Sequence, residues 1–145
     1  MNEGRLTILL AEDDEGHATL IQRSLARAGV SNELIHVRDG YEALEFVRAK
    51  RARREGQPAS PLLLLLDLNM PRVNGFEVLE QLKADAETSH LPVIVLTTTD
   101  DARDIDRCYR LGCSVFVTKP VAYTDFMAAV QRLGLFLQIV SAPAV

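Results

Sequence analysis

The chain of 145 residues has no tryptophan, only two cysteines and no long apolar run. No stretch approaches the roughly 20 apolar residues that cross a bilayer. Asn2-Glu3-Gly4 leads straight into an apolar segment, without the basic region and long apolar core of a signal peptide. Cys108 and Cys113 do not make a CxxC pair, and no His/Cys cluster accompanies them. That excludes a zinc framework and leaves two packed thiols in a reducing cytosol. The net charge of -4 offers no footprint for nucleic acid. Repeats and low-complexity tracts are missing too. What remains is 48% hydrophobic and 25% charged residues, enough for one cytoplasmic domain that buries its core without disulfides. Its expected bounds are 1–140, with 141–145 a loose tail.

Apolar runs alternate with helical patterns from end to end. Leu6 to Ala11 has the continuous apolar character of a strand buried on both faces. Asp14 is placed to cap a helix carrying Ala18, Ile21, Leu25 and Ala28, stopped by Gly29. Glu33 to Val37 is a weaker strand. Asp39 and Glu42 have capping-box spacing before Ala43, Leu44 and Val47. That helix runs into the basic stretch Arg48 to Arg54, read as a solvated face. After a loop from Gly56 to Pro61, Leu62 to Leu66 is the strongest strand. Asn74 and Glu77 form another capping box, and Val93 to Leu96 is the next strand. Asp101 starts a helix that Gly112 ends, Val115 to Val117 is the last strand, and a final helix begins near Tyr123. Five β–α units predict an α/β fold, a doubly wound parallel sheet with helices on both faces.

Ligands of such sheets bind at the carboxyl ends of the strands. Glu12, Asp13 and Asp14 follow the first strand, Asp67 and Asn69 the third, Thr97, Thr98 and Thr99 the fourth, and Lys119 and Pro120 the fifth. Clustered carboxylates repel unless a proton or cation intervenes. Hard oxygen donors suit Mg2+, with Mn2+ an alternative, better than a soft metal. An aspartate can attack phosphorus. An ammonium and a hydroxyl can then hold the phosphoryl oxygens.

These segments resemble the receiver domain of two-component response regulators. The matching stretches are Ile8 to Asp14, Leu66-Asp67-Leu68-Asn69-Met70-Pro71 with Asn74-Gly75, Pro92 to Thr97, and Val117-Thr118-Lys119-Pro120, in the family's order and spacing. The resemblance spans about 5 to 138 and implies a flavodoxin-like (CheY-like) fold, strand order 2-1-3-4-5. It implies Asp67 as phosphoacceptor, served by a sensor histidine kinase or histidine phosphotransfer protein. It places the metal on Glu12, Asp13, Asp67 and the Asn69 carbonyl, and the phosphoryl oxygens on Thr97 and Lys119. Phe116 fills the aromatic switch position, and a cis peptide is expected at Lys119-Pro120. The sequence departs from the usual pattern in having Glu12 for Asp and Thr98, an access-controlling position, for Ala or Gly. Its second helix and following loop are also long, through Arg54 and Pro61.

Alone, each residue has a plainer use: Asp13 and Asp14 as caps, Asp67 in a turn, Thr97 as strand filling, Lys119 as surface charge. Their convergence on one sheet edge outweighs those uses. His17 is read as a surface helix residue, and His36 and His90 carry no motif. Leu133, Phe136, Leu137 and Val140 make the last helix apolar nearly all round, more than one sheet-covering helix needs. With the long second helix and the Thr97-Thr98-Thr99 run, this resembles single-domain regulators of bacterial and cyanobacterial phytochrome kinases, and implies a homodimer through that face. With no effector segment in the sequence, output by protein association is expected, not promoter binding. An aspartyl hydrolase of the haloacid-dehalogenase sort would place its nucleophile after strand one. A flavodoxin-like carrier would need a phosphate loop where Glu12, Asp13 and Asp14 stand. A constitutive interaction module would show a broken acidic pocket.

Overall fold

The strand–helix alternation read from the sequence is the one the chain adopts. A computed structural model describes residues 6–27, 29–51, 61–98, 101–113, 115–119 and 123–132. In chain order the elements are β1 (Thr7–Ala11), α1 (Glu15–Arg27), β2 (Leu34–Val37), α2 (Gly40–Arg51), β3 (Leu62–Asp67), α3 (Gly75–Ala84), β4 (Val93–Thr97), α4 (Ala102–Arg110), β5 (Val115–Thr118) and α5 (Tyr123–Arg132). The sheet has five strands in the order β2-β1-β3-β4-β5, and every pairing is parallel. That is the expected doubly wound topology.

The leucine run explains why β3 sits in the middle. Successive strand side chains point to opposite faces. Leu62, Leu64 and Leu66 therefore pack with Ala43, Val47, Val78, Leu79 and Cys108 of α2, α3 and α4. Leu63 and Leu65 pack with Ala18, Ile21, Leu25 and Phe126 of α1 and α5. A strand apolar on both faces is stable only between two helical layers. β2, at the edge, is half-buried along its length.

Local signals set the helix starts. Asn74 accepts from the Glu77 N–H at 3.0 Å, and the Glu77 side chain answers at the Asn74 N–H, a complete capping box. Asp14, Asp39 and Asp101 each accept a backbone N–H of the helix that follows, at 3.0, 2.8 and 2.9 Å. Gly29 and Gly112, with φ of 83° and 98°, end α1 and α4 in a conformation other residues avoid. Cys108 and Cys113 are free and buried, and burial pushes their thiols up to about 11 and about 12, so both stay protonated and inert at neutral pH. Arg48 is exposed and donates to Gln81 at 3.1 Å. The rest of the basic stretch and its loop, residues 52–60, lie outside the described residues, as does the tail. Among the described residues no helix is long and apolar enough to cross a membrane.

Candidate functional site

Parallel strands end on the same side, so the register decides which side chains meet. Ala11 pairs with Leu66, Asp67 with Leu96, and Thr97 with Thr118. Glu12, Asp13, Asp67, Thr97 and Lys119 are thereby delivered to one sheet edge. The Lys119 N–H donates to the Thr97 carbonyl at 2.8 Å and ties the end of β5 to that of β4.

Glu12, Asp13 and Asp67 each bring a carboxylate oxygen within 4.8 Å of the others. Glu12 is fully buried, Asp67 is 5% exposed, and Asp13 faces solvent. A buried carboxylate needs a partner. Glu12 has it in Lys119, whose ammonium forms an ion pair with Glu12 Oε1. The same Nζ lies 3.4 Å from Asp67 Oδ1 and 3.3 Å from His17 Nδ1. An ammonium has three N–H groups and can only donate. The Lys119 ammonium is thus set among Glu12, Asp67 and His17, and His17 Nδ1 also lies 3.6 Å from Glu12 Oε1. The second Glu12 oxygen accepts from the Asp14 N–H at 3.3 Å. His36 Nε2 donates to the Glu12 carbonyl at 2.7 Å, which fixes that ring's tautomer.

Burial is the main cause that pushes the Asp67 carboxyl up, to about 7. Its hydrogen bond with Glu12 adds to this, and the Lys119 charge opposes it. Two carboxylates at this spacing share a proton or a cation. The donor set is all hard oxygen, with one member open to solvent, and fits a divalent ion that keeps some of its water. Glu12, Asp13 and Asp67 thus form an acidic cluster able to hold a metal.

The remaining expected residues fall around this cluster. Thr97 is fully buried at the end of β4, and Thr98 is exposed beside it. Phe116 is half-buried against the α2–α4 side of the core. Asn69 is exposed in the loop after Asp67. Gly75 closes that loop: a Cβ there would lie 2.5 Å from the Asp67 carbonyl oxygen, and its N–H donates to the Leu68 carbonyl at 3.0 Å. Pro120, and with it the cis peptide, lies outside the described residues, as do Leu133, Phe136, Leu137 and Val140. His17 is half exposed, as expected, yet its ring also reaches the site, and His36 supports it from β2. Position offered one clue: the first turn of α1 begins at the acidic cluster, so a long side chain there is within reach of it.

The chain matches the model of the response regulator receiver domain over residues 8–131. It is 36% identical over 138 residues to response regulator Rcp1 of Synechocystis sp., covering 94% of this chain and 92% of that protein. The crystal structure of the Mn2+-bound form of Rcp1 superposes with a TM-score of 0.69 at 35% identity, over 95% of this chain and 99% of that one. The bacteriophytochrome response regulator RtBRR is similar at 40% identity and a TM-score of 0.77, over 95% of this chain and 83% of that chain. The probable methanogenesis regulatory protein FilR2 of Methanothrix harundinacea is 35% identical over 131 residues, 90% of this chain and 83% of that protein.

Proposed function

This chain belongs to the response regulator receiver domain family, and on that premise we propose that Asp67 is the aspartate that accepts the phosphoryl group. A receiver domain is a phosphoacceptor switch served by a histidine kinase, not a turnover enzyme. The observation that carries the assignment is the Lys119 ammonium set between Asp67 and the buried Glu12 at the carboxyl edge of the sheet. In the transfer, an Asp67 oxygen attacks phosphorus of a phosphohistidine. The P–N bond breaks, the imidazole nitrogen keeps the electron pair and takes a proton, and an acyl phosphate forms. Lys119 leaves its carboxylate partners to bind one phosphoryl oxygen, and the Thr97 hydroxyl donates to another. Glu12, Asp13, Asp67 and the Asn69 carbonyl would hold Mg2+, or Mn2+, which neutralises phosphoryl charge when bound. Thr98, exposed beside Thr97, limits access to the acyl phosphate and so tunes its lifetime. Movement of Thr97 shifts the population of Phe116 and of the face formed by α4, β5 and α5.

Acetyl phosphate with Mg2+ should label the chain once, and Asp67→Asn should remove the label. Label persisting at the same position in the variant would refute the assignment.

The input is assigned to a phytochrome-type histidine kinase, on the likeness to RtBRR and Rcp1. The output is assigned to association through Leu133, Phe136, Leu137 and Val140, whose apolar pattern exceeds what one packed helix uses. Sedimentation at tens of micromolar should show a dimer with or without beryllofluoride. A monomer in both states would remove this part of the proposal.

A further inference from the structure

We infer that Arg72 is a positioning residue for the site: through Asp39 and Tyr41 it clamps the β3–α3 loop onto the start of α2. The inference rests on the functional reading above, because that loop carries Asn69 and begins at Asp67.

Arg72 is the one non-glycine among the described residues with positive φ, 65°. The Val73 N–H donates to the Pro71 carbonyl at 2.8 Å, across Arg72. A bond from residue i+2 to residue i over a centre of positive φ is the rare, strained form of γ-turn. Such a conformation persists only where its surroundings over-determine it. Here they do. Arg72 Nε donates to Asp39 Oδ2 at 2.9 Å, and its Nη2 lies 2.7 Å from the same oxygen. The guanidinium stands 4.7 Å from the centre of the Tyr41 ring. The other Asp39 oxygen accepts from the Glu42 N–H at 2.8 Å and so caps α2. The Asp39 side chain is 13% exposed and that of Arg72 58%, so the ion pair alone is worth little. The clamp rests on the two-nitrogen grip together with the Tyr41 stacking and the close backbone fit.

The backbones are fitted as closely as the side chains. A Cβ on Gly40 would lie 1.9 Å from the Val73 carbonyl oxygen. The loop is thus held at its tip by Asp39, Gly40 and Tyr41. At its base it is held by Gly75 on Asp67 and Leu68. Asn69 lies between the two anchors, next to the buried Met70. Fixing both ends fixes the direction of the Asn69 carbonyl without a further contact to it. Arg72 contacts Asp39 and Tyr41 and is not part of the Glu12, Asp13 and Asp67 cluster, so its effect passes through the loop.

Three variants separate this role from plain stability. Arg72→Gly relieves the positive φ but removes the clamp. Arg72→Lys keeps a charge without the two-nitrogen grip. Asp39→Asn keeps a capping oxygen for α2 and loses the ion pair. Metal-free hydrogen exchange of the Leu68–Asn74 amides should rise about tenfold in Arg72→Gly and Asp39→Asn, and less in Arg72→Lys. Mg2+ binding by titration calorimetry should weaken by about tenfold in the first two. Melting temperature in Arg72→Gly should stay within a few degrees of wild type. Wild-type loop exchange and wild-type Mg2+ affinity in Arg72→Gly would overturn the inference. If the wild-type chain itself bound no Mg2+ in an Asp67-dependent way, the functional reading would fail instead, and metal-free exchange would still decide the clamp.

Discussion

Asp67→Asn is expected to melt roughly 5–10 °C above the wild-type chain in chelator at pH 8. A residue that serves function at the expense of the fold should behave so. The Asp67 carboxyl ionises near 3.8 in an open chain and is pushed up to about 7 in the folded one, first by burial and then by Glu12. Between those values the folded state keeps a proton that the unfolded state has lost. Stability therefore falls as pH rises from about 4 to about 7, and stays low above that. The full difference corresponds to at most about 4 kcal/mol, and coupling to Glu12 and Lys119 will shrink it. Asparagine has the same shape and no charge, so it escapes the penalty. Thermal melts of both chains from pH 5 to pH 8 read the effect directly. The gap should narrow toward pH 5, where the wild-type carboxyl is protonated. It should narrow again at pH 8 when Mg2+ is added, because only the wild type gains the full ligand set. Equal midpoints at pH 8, with no dependence on pH, would show that the charge at Asp67 is already balanced.

Lys119→Ala should act in the opposite direction and more strongly. The Lys119 side chain is 7% exposed and Glu12 is fully buried. Removing one member of a buried ion pair strands the other, at a cost of about 3–5 kcal/mol. The expected loss is about 10 °C or more in the metal-free melting midpoint. Adding Glu12→Gln to the same chain should recover much of it, since the stranded charge is then gone. Phosphoryl transfer should not return in that double variant. Losing a preorganised charge on the transferring group costs about 100- to 1000-fold in rate. The pairing of a restored melt with an unrestored rate separates the two jobs of Lys119. A single variant that melts with the wild type would mean that Glu12 is paired elsewhere.

Legibility in the sequence followed distance along the chain. The Asn74–Glu77 cap, the Asp101 cap and the leucine run of β3 depend on neighbours within a few residues, and all were readable. The convergence of Glu12, Asp13, Asp67, Thr97 and Lys119 was readable too, because parallel strands place their ends together whatever the loops do. The contacts that refine the site had no such rule. His17 meets Lys119 across 102 positions, Arg72 meets Asp39 across 33 and His36 meets the Glu12 carbonyl across 24. No periodicity encodes them, since they depend on how α1, β2 and the β3–α3 loop are placed against the rest of the fold. Asp39 shows the limit clearly. Its spacing to Glu42 announced a cap, and the second carboxylate oxygen, which holds Arg72, left no local trace. The complete burial of Glu12 was also hidden, because a charged residue after a strand is exposed more often than not.

The division of the β3 leucines has a consequence for how such a chain can vary. Leu63 and Leu64 are neighbours in sequence, yet they belong to separate cores with the sheet between them. Substitutions on one layer meet few of the partners of the other, so their effects should add across the sheet and interact within a layer. The layer of α1 and α5 is then free to drift toward new partners while the layer of α2, α3 and α4 keeps its packing. Odd and even positions of one short strand thus answer to two nearly independent sets of partners.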